Sequence, residues 1–475
     1  MKRFIQGEHR TQNTLFPETL DDYVTECNPV RVVEVFVEGL DLEVLGFEGI
    51  KPEATGRPAY HPSTLLKIYI YGYLNRIQST RRLELETQRN VELMWLTSRL
   101  TPDFKTIARF RKDNGKAIRS VCRQFVELCR QLDLFTQAIV AIDGSKFKAV
   151  NNRDKNFTSA KMERRKQQLE DSINRYLAAL DSADQEEPVV EAKTVKLKEK
   201  IAVLKQRMAE LKELDVKMQA APDKQISLTD PDARSMKTRG TGIVGYNVQT
   251  AVDTKNHLIV AHEVTNAGTD RDQLSSMAKQ ARTAMGTQEI TAIADRGYYK
   301  GEEILACHEA GITALVPKSF TSNNKAKGLF DKSKFIYVAD KDEYRCPAGQ
   351  SLIKRYTSIE QGKTLHTYWS SGCRVCAMKD QCTPSTERRV RRWEHEAVLD
   401  AMQVRLNNMP EAMLIRKQTV EHPFGTLKAW MGATHFQMKT LDHVNTEMSL
   451  HVLAYNLKRV MKILGISPLM QAMRA

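Results

Sequence analysis

Two short apolar runs, IVAID ending at Asp143 and ITAIAD ending at Asp295, each stop at a carboxylate and then turn. Both read as buried strands, because successive Ile, Val and Ala residues leave no polar face for solvent. A carboxylate at such an exit loses hydration unless a cation, a hydrogen bond or open water compensates it. Matching exits fit strands that lie side by side in one sheet. Two acids placed there repel unless cations sit between them.

The surrounding pattern supplies the rest of such a sheet. GYNVQTAVDTKNHLIVAHEVTN alternates with period two on both sides of DTKN, which predicts two antiparallel strands joined by a turn. DRDQLSSMAKQARTAM reads as a helix, ITAIAD as a strand, GEEILACHEAG as a helix and TALVPKS as a strand. With the run at Asp143 this makes three strands, a helix, a strand, a helix and a strand. The fold class is α/β, with the element order of an RNase H-like mixed sheet.

Residues 1–135 are helical in pattern and form an N-terminal DNA-binding domain, and the catalytic core takes 136–159 and 226–320. Between these two pieces, residues 160–225 are rich in Lys, Glu, Gln and Ala. Leu197, Ile201, Leu204, Met208 and Leu211 recur there at heptad spacing, and Leu169, Ile173, Leu177 and Leu180 make a shorter stripe before the DSADQEEP break. An antiparallel helical hairpin follows, its stripe serving core packing or a partner subunit. Residues 321–400 form a cysteine-containing insertion and 401–475 a C-terminal catalytic helix region.

A net charge of +14 and a pI near 9.3 suit a polyanionic partner. Arg76, Arg81, Arg82, Arg89, Arg109, Arg111, Lys112, Lys116 and Arg119 crowd short helices of helix-turn-helix size, and Arg81, Arg82, Arg109, Arg111 and Lys112 are the expected DNA contacts. ERRVRRWEHE adds Arg388, Arg389, Arg391 and Arg392 as backbone contacts. No apolar run approaches the ~20 residues of a membrane span, and MKRFIQGEHRTQ lacks the apolar core of a signal peptide. A soluble, cytoplasmic protein is expected, with no membrane partner.

Hard divalent ions such as Mg²⁺ take oxygen ligands, and a pair of them serves phosphoryl transfer by activating the nucleophile and stabilising the leaving oxygen. Asp143 and Asp295 supply two ligands, and a third acid is expected on a downstream helix. Glu421 in IRKQTVEHPFGTLKAWMG fills that place, with Lys417 and Lys428 on its face to grip flanking phosphates. Pro423 is tolerable near a helix start and would kink an interior. Asp253, Asp270 and Asp272 rival Asp295 for the second position; Asp253 opens a turn and Asp272 is placed to cap the helix beginning near Gln273.

The blocks AIDGSKF, GYNVQTAVD, ADRGYY and EHPFGTLK resemble, in this order, the bacterial insertion-sequence transposases of the DDE type. So does the opening LFPETLDDYVTECNPVRVVEVFVEGLDLEVLGF joined to LTPDFKTIARFRK, and the likeness runs from about residue 12 to 460. It implies an RNase H-like catalytic domain that cuts double-stranded DNA at the inverted-repeat ends of a mobile element and joins the freed 3′ hydroxyl to target DNA. It further implies that Asp143, Asp295 and Glu421 hold two Mg²⁺ ions, that a homodimer works on DNA, and that the protein associates with the bacterial nucleoid. Many relatives carry the spacing Y-x2-R-x3-E-x6-K around the glutamate. Here Lys428 matches the last position, Lys417 stands for arginine and Leu414 for tyrosine, with Arg416 one residue out of register. Arg416, Lys417 and Lys428 join the expected DNA contacts.

YRCPAGQ and SGCRVCAMKDQC bring Cys346, Cys373, Cys376 and Cys382, four thiols that match structural zinc in ligand number, with His366 as a spare ligand. From a different class, a catalytically silent DNA-binding repressor or architectural protein derived from a transposase has the same basic helices. The presence of all three acids favours the enzyme.

Overall fold

The computed structural model describes residues 18–51, 58–135, 138–151, 153–184, 191–221, 223–238, 242–319 and 323–474. The amino-terminal segment and the QEEP half of the DSADQEEP break lie outside the described residues.

Six helices come first: α1 (Pro29–Glu38), α2 (Pro62–Leu74), α3 (Thr80–Arg89), α4 (Val91–Leu96), α5 (Phe104–Asp113) and α6 (Gly115–Gln131). Several of their starts carry side-chain caps. The Asn28 side chain accepts from Val30 N at 2.9 Å with Pro29 in the first turn, and Asp103 accepts from the amides of Lys105 and Thr106. β1 (Ile139–Lys148) and β2 (Asn156–Thr158) lead into α7 (Ser159–Asp184) and α8 (Glu191–Ala220), the inserted hairpin, which returns to the core through β3 (Gln225–Ser227) on β2 and β4 (Arg234–Met236). Ile201, Met208 and Leu211 are buried, as are Met162 and Met218, so the heptad stripe packs inside the hairpin.

The sheet is completed by β5 (Ile243–Asp253), β6 (Ile259–Thr265), α9 (Leu274–Met285), β7 (Ile290–Ala294), α10 (Gly301–Glu309) and β8 (Ile312–Leu315). Its order is β6-β5-β1-β7-β8, with β4 extending the β6 edge of β5. β5 is antiparallel to β1 and β6, whereas β7 and β8 are parallel to β1. This is an RNase H-like mixed sheet. The parallel strands need crossover helices, which α9 and α10 provide.

The cysteine-containing segment folds as a second, antiparallel sheet of β9 (Ile336–Val338), β10 (Glu343–Arg345), β11 (Ser351–Glu360), β12 (Lys363–Trp369) and β13 (Val390–Trp393), with the short α11 (Lys379–Cys382) before its last strand. Then come α12 (Glu396–Asn408), α13 (Ala412–Gly425), α14 (Leu441–Leu464) and α15 (Ile466–Arg474). α14 is buried nearly all round, from Val444 to Val460, and carries one apolar core that runs from α1 and α2 through α6 to Tyr246, Val248 and Val264 of the sheet. The N-terminal helices and the sheet therefore share a core. The change near residue 135 is one of secondary structure and not of packing.

Buried polar groups stitch that core together. Arg111 is 6% exposed; it donates to the Tyr73 hydroxyl at 2.8 Å and lies over the Tyr69 ring. Glu447 is fully buried and accepts from the backbone amides of Gln437 and Met438. Arg111 as a DNA contact is thus corrected: its guanidinium is consumed inside the helical core, where it offsets the charge of Glu447. Arg392 is corrected likewise, being buried between the Tyr337 ring at 3.6 Å, the Tyr344 hydroxyl and the Asp400 carboxylate.

Candidate active site

Strand register decides what faces what. β1 and β7 pair in parallel up to Ile142↔Ala294, so Asp143 and Asp295 are the next residue on each of two neighbouring strands, which run about 4.8 Å apart. With period-two alternation both acids fall on the face that carries Ile139 and Ile293, the face on which α13 packs through Ala412 and Ile415. Asp295 also caps the short turn Arg296–Tyr298, accepting from Gly297 N at 2.8 Å.

α13 delivers a cation to the pair. Nη2 of Arg416 lies 2.5 Å from Oδ1 of Asp143 and 3.7 Å from Oδ2 of Asp295. Asp143 keeps 23% side-chain exposure against 46% for Asp295. Burial raises the Asp143 pKa to about 6; Arg416 opposes the rise and the neighbouring Asp295 adds to it. About three turns on, Lys428 donates to Ser145 Oγ at 2.6 Å and to the Lys146 carbonyl at 2.9 Å, with its amine over the Phe147 ring. Burial lowers the Lys428 pKa and Asp143 pulls it back up.

Glu421 is exposed and makes no hydrogen bond or ion pair among the described residues. At about 100° per residue it stands on the Lys428 side of α13, and about 140° round from Arg416. Pro423 sits inside the helix, just before its last residues Phe424 and Gly425, and the chain continues as a π-turn over Thr426–Trp430 without breaking. The Thr419 carbonyl, which the proline leaves without its helical amide, accepts instead from the His257 ring, with Nδ1 at 3.4 Å.

The reverse face of β1 holds a different cluster. Gly144, Lys146, Asn247 and Gln249 alternate away from Asp143, and Asp270 Oδ1 accepts there from Asn247 Nδ2 at 2.6 Å, Gln249 Nε2 at 2.7 Å and Lys146 Nζ at 3.4 Å. Gln249 in turn accepts from the hydroxyl of buried Tyr298, three residues past Asp295. Asp270 is therefore a brace behind the acid pair, not a member of it. Asp253 accepts from Asn256 N at the far end of β5, and Asp272 pairs with Lys300 while the Glu303 carboxylate accepts from the Ser275 amide in the first turn of α9. The capping expected of Asp272 is not made because the lysine holds its carboxylate.

The remaining basic residues separate by exposure. Arg81, Arg82, Arg109, Lys112 and Lys417 are exposed. Arg389 and Arg391 are exposed beside the Trp369 ring and the Glu360 carboxylate, and half-buried Arg388 lies over Phe335. Cys346, Cys373, Cys376 and Cys382 line one cavity of about 20 Å³ and form no disulfide. His366 lies in β12, its Nδ1 3.0 Å from Thr357 Oγ1. Among the described residues, no three or more His, Cys, Asp or Glu stand together as a ready metal site.

Residues 213–457, more than half of the chain, match the family model described as Transposase DDE domain. The chain belongs to the DDE transposases. Residues 18–113 match a second model, described as Transposase domain (DUF772), and together the two place it with the insertion-sequence type. This transposase is also similar to a solved structure, the cryo-EM structure of a piggyBac transposase synaptic complex with hairpin DNA. Identity is 9%, with 94% of this chain and 79% of that chain covered and a TM-score of 0.31. Comparison with curated proteins gives no match. No helix among the described residues of the transposase is long and apolar enough to cross a membrane.

The sequence did not point to the brace of Asn247, Gln249, Asp270 and Tyr298. Its one signal was the pair of amides at alternate positions in GYNVQTAVD, polar side chains on a strand that is buried on both faces.

Proposed function

We propose that this transposase cuts DNA at the ends of an insertion sequence and joins the 3′ ends to target DNA, with Asp143, Asp295 and Glu421 as the ligands of two Mg²⁺ ions. The observation that supports this best is the adjacency of Asp143 and Asp295 on parallel strands with a cationic group already between them. Their donor set fits a hard dication: carboxylate oxygens, one of them desolvated and in need of positive charge. Glu421 joins by a side-chain or helix movement, since no three such groups stand together among the described residues. When bound, the ions supply an activated nucleophile and stabilisation of the leaving oxygen.

The chain's own residues do the remaining work. Lys428 holds Ser145 and the β1 backbone beside Asp143 and presents positive charge to a phosphate. Exposed Arg81, Arg82, Arg109, Lys112, Lys417, Arg389 and Arg391 bind the DNA backbone, aided by Arg388, and make binding fall steeply with salt. The four cysteines are read as a structural zinc site that forms when the thiols close on their small cavity. Metal analysis of the purified chain tests this, with one zinc per chain expected and a zinc-free protein of unchanged melting temperature against it. A homodimer that pairs two element ends, working in the bacterial cytoplasm at the nucleoid, completes the reading.

The test is Mg²⁺-dependent nicking of element-end DNA by the wild type and by Asp143→Asn and Glu421→Gln variants. Loss in both supports the site. Normal cutting by either removes that residue from it, and DNA binding without cleavage by the wild type over a range of metals would favour the silent DNA-binding protein.

A further inference from the structure

We infer that Arg416 is the resident counter-ion of the acid pair, so that a divalent ion enters the Asp143–Asp295 site by displacing its guanidinium. This rests on the reading of Asp143 and Asp295 as metal ligands, and it adds a positioning role to a residue expected only to touch DNA.

Three observations carry it. One nitrogen, Nη2, faces both acids, at 2.5 Å from Asp143 and 3.7 Å from Asp295, and so occupies the space between them. Arg416 is mostly buried at 16% side-chain exposure, and its Nε is buried with no partner among the described residues. The side chain is thus committed to the pair at its tip while its inner donor is left over, an arrangement that costs desolvation. Lastly, Lys417, the next residue and the one in the expected register, is exposed and points elsewhere. Helix geometry allows only one of two successive residues to face the sheet, and here it is the arginine.

The consequence follows from charge. Two carboxylates on adjacent strands would repel, and Asp143 is desolvated as well, so without metal the site needs a cation to stay in register. Arg416 provides it and keeps the acids pre-placed. A dication competes with it for the same oxygens. Once displaced, the guanidinium is free beside the site with its planar donors suited to a phosphate. Arg416 therefore weakens metal binding to the free protein and releases a phosphate-binding group when metal arrives.

The experiment measures Mn²⁺ binding by calorimetry, and melting in EDTA and in millimolar Mg²⁺, for the DNA-free full chain as wild type, Arg416→Gln, Arg416→Lys, and Arg416→Gln combined with Asp143→Asn and Asp295→Asn. Removing the competitor should tighten Mn²⁺ binding on the order of tenfold in Arg416→Gln. The same variant should melt lower than wild type in EDTA and regain much of the loss in Mg²⁺. Arg416→Lys keeps the charge and should fall between, which also covers the case in which the glutamine variant folds poorly. If both arginine variants bind Mn²⁺ no more tightly than wild type, while the added aspartate changes abolish binding, the counter-ion role is overturned and the acid pair stands. If binding survives the aspartate changes, the acid-pair reading itself falls, and this inference with it.

Discussion

Replacing Gly144 by alanine puts a methyl group where the reverse face of β1 has no room for one. An ideal Cβ there would lie 2.5 Å from Asp270 Oδ1, 3.1 Å from Asn247 Oδ1 and in closer conflict with Gln249 Nε2. These atoms are side-chain tips, so the backbone need not move. They are also tied to one another, because Asn247 and Gln249 both donate to that same Asp270 oxygen. Making space means losing at least one hydrogen bond to a half-buried carboxylate, worth about 1.5–3 kcal/mol, with some off-rotamer strain in Gln249. The expected destabilisation is about 2–4 kcal/mol, read as a shift in urea midpoint by far-ultraviolet circular dichroism. In a double-mutant cycle the cost of Gly144→Ala should shrink by about 1–2 kcal/mol when Asp270 is already alanine, because the clash partner has gone. Strict additivity, or a Gly144→Ala chain as stable as wild type, would refute the claim that Gly144 exists to let Asp270 close on β1.

Other outcomes follow from the same contacts. Glu447→Ala strands the amides of Gln437 and Met438 and leaves Arg111 without its buried counter-charge, so a loss of about 3–5 kcal/mol is expected in the same urea assay. Buried His451 has its pKa pushed down to about 3 by burial, with Arg111 adding to the shift, against about 6.5 when unfolded. Its contribution to stability is complete above pH ~6.5 and declines as pH falls towards 3, by up to ~1.4 kcal/mol per unit. His451→Phe, which keeps a ring against Tyr73, should flatten the urea-midpoint slope between pH 6 and 4, and an unchanged slope counts against it. Lys428→Met should spare folding but weaken cleavage on the order of a hundredfold, since a positioned phosphate-facing charge is lost; equal cleavage rates would exclude Lys428 from the reaction.

Much of the architecture was legible from local pattern. The runs at Asp143 and Asp295 announced strands because apolar continuity has few other solutions, and the heptad stripe announced the hairpin because 3.5-residue spacing needs a facing helix. Arg111 and Arg392 were misread for one reason: an arginine in a basic stretch looks like surface until tertiary packing supplies Tyr73, Tyr344 and Asp400 as partners. Pro423 was read as a helix hazard because the partner of the carbonyl it frees, the His257 ring against Thr419, comes from a turn far away in the chain.

The amino-acid order by itself determined which segments become strands and helices, and that two strands end in acids, since these follow from side-chain periodicity within a few residues. Only the folded arrangement decided that Arg416 and not Lys417 meets those acids, that Asp270 stands behind them and that Glu421 stands apart. Such choices depend on register and helix rotation, and these are set by packing between residues hundreds of positions apart.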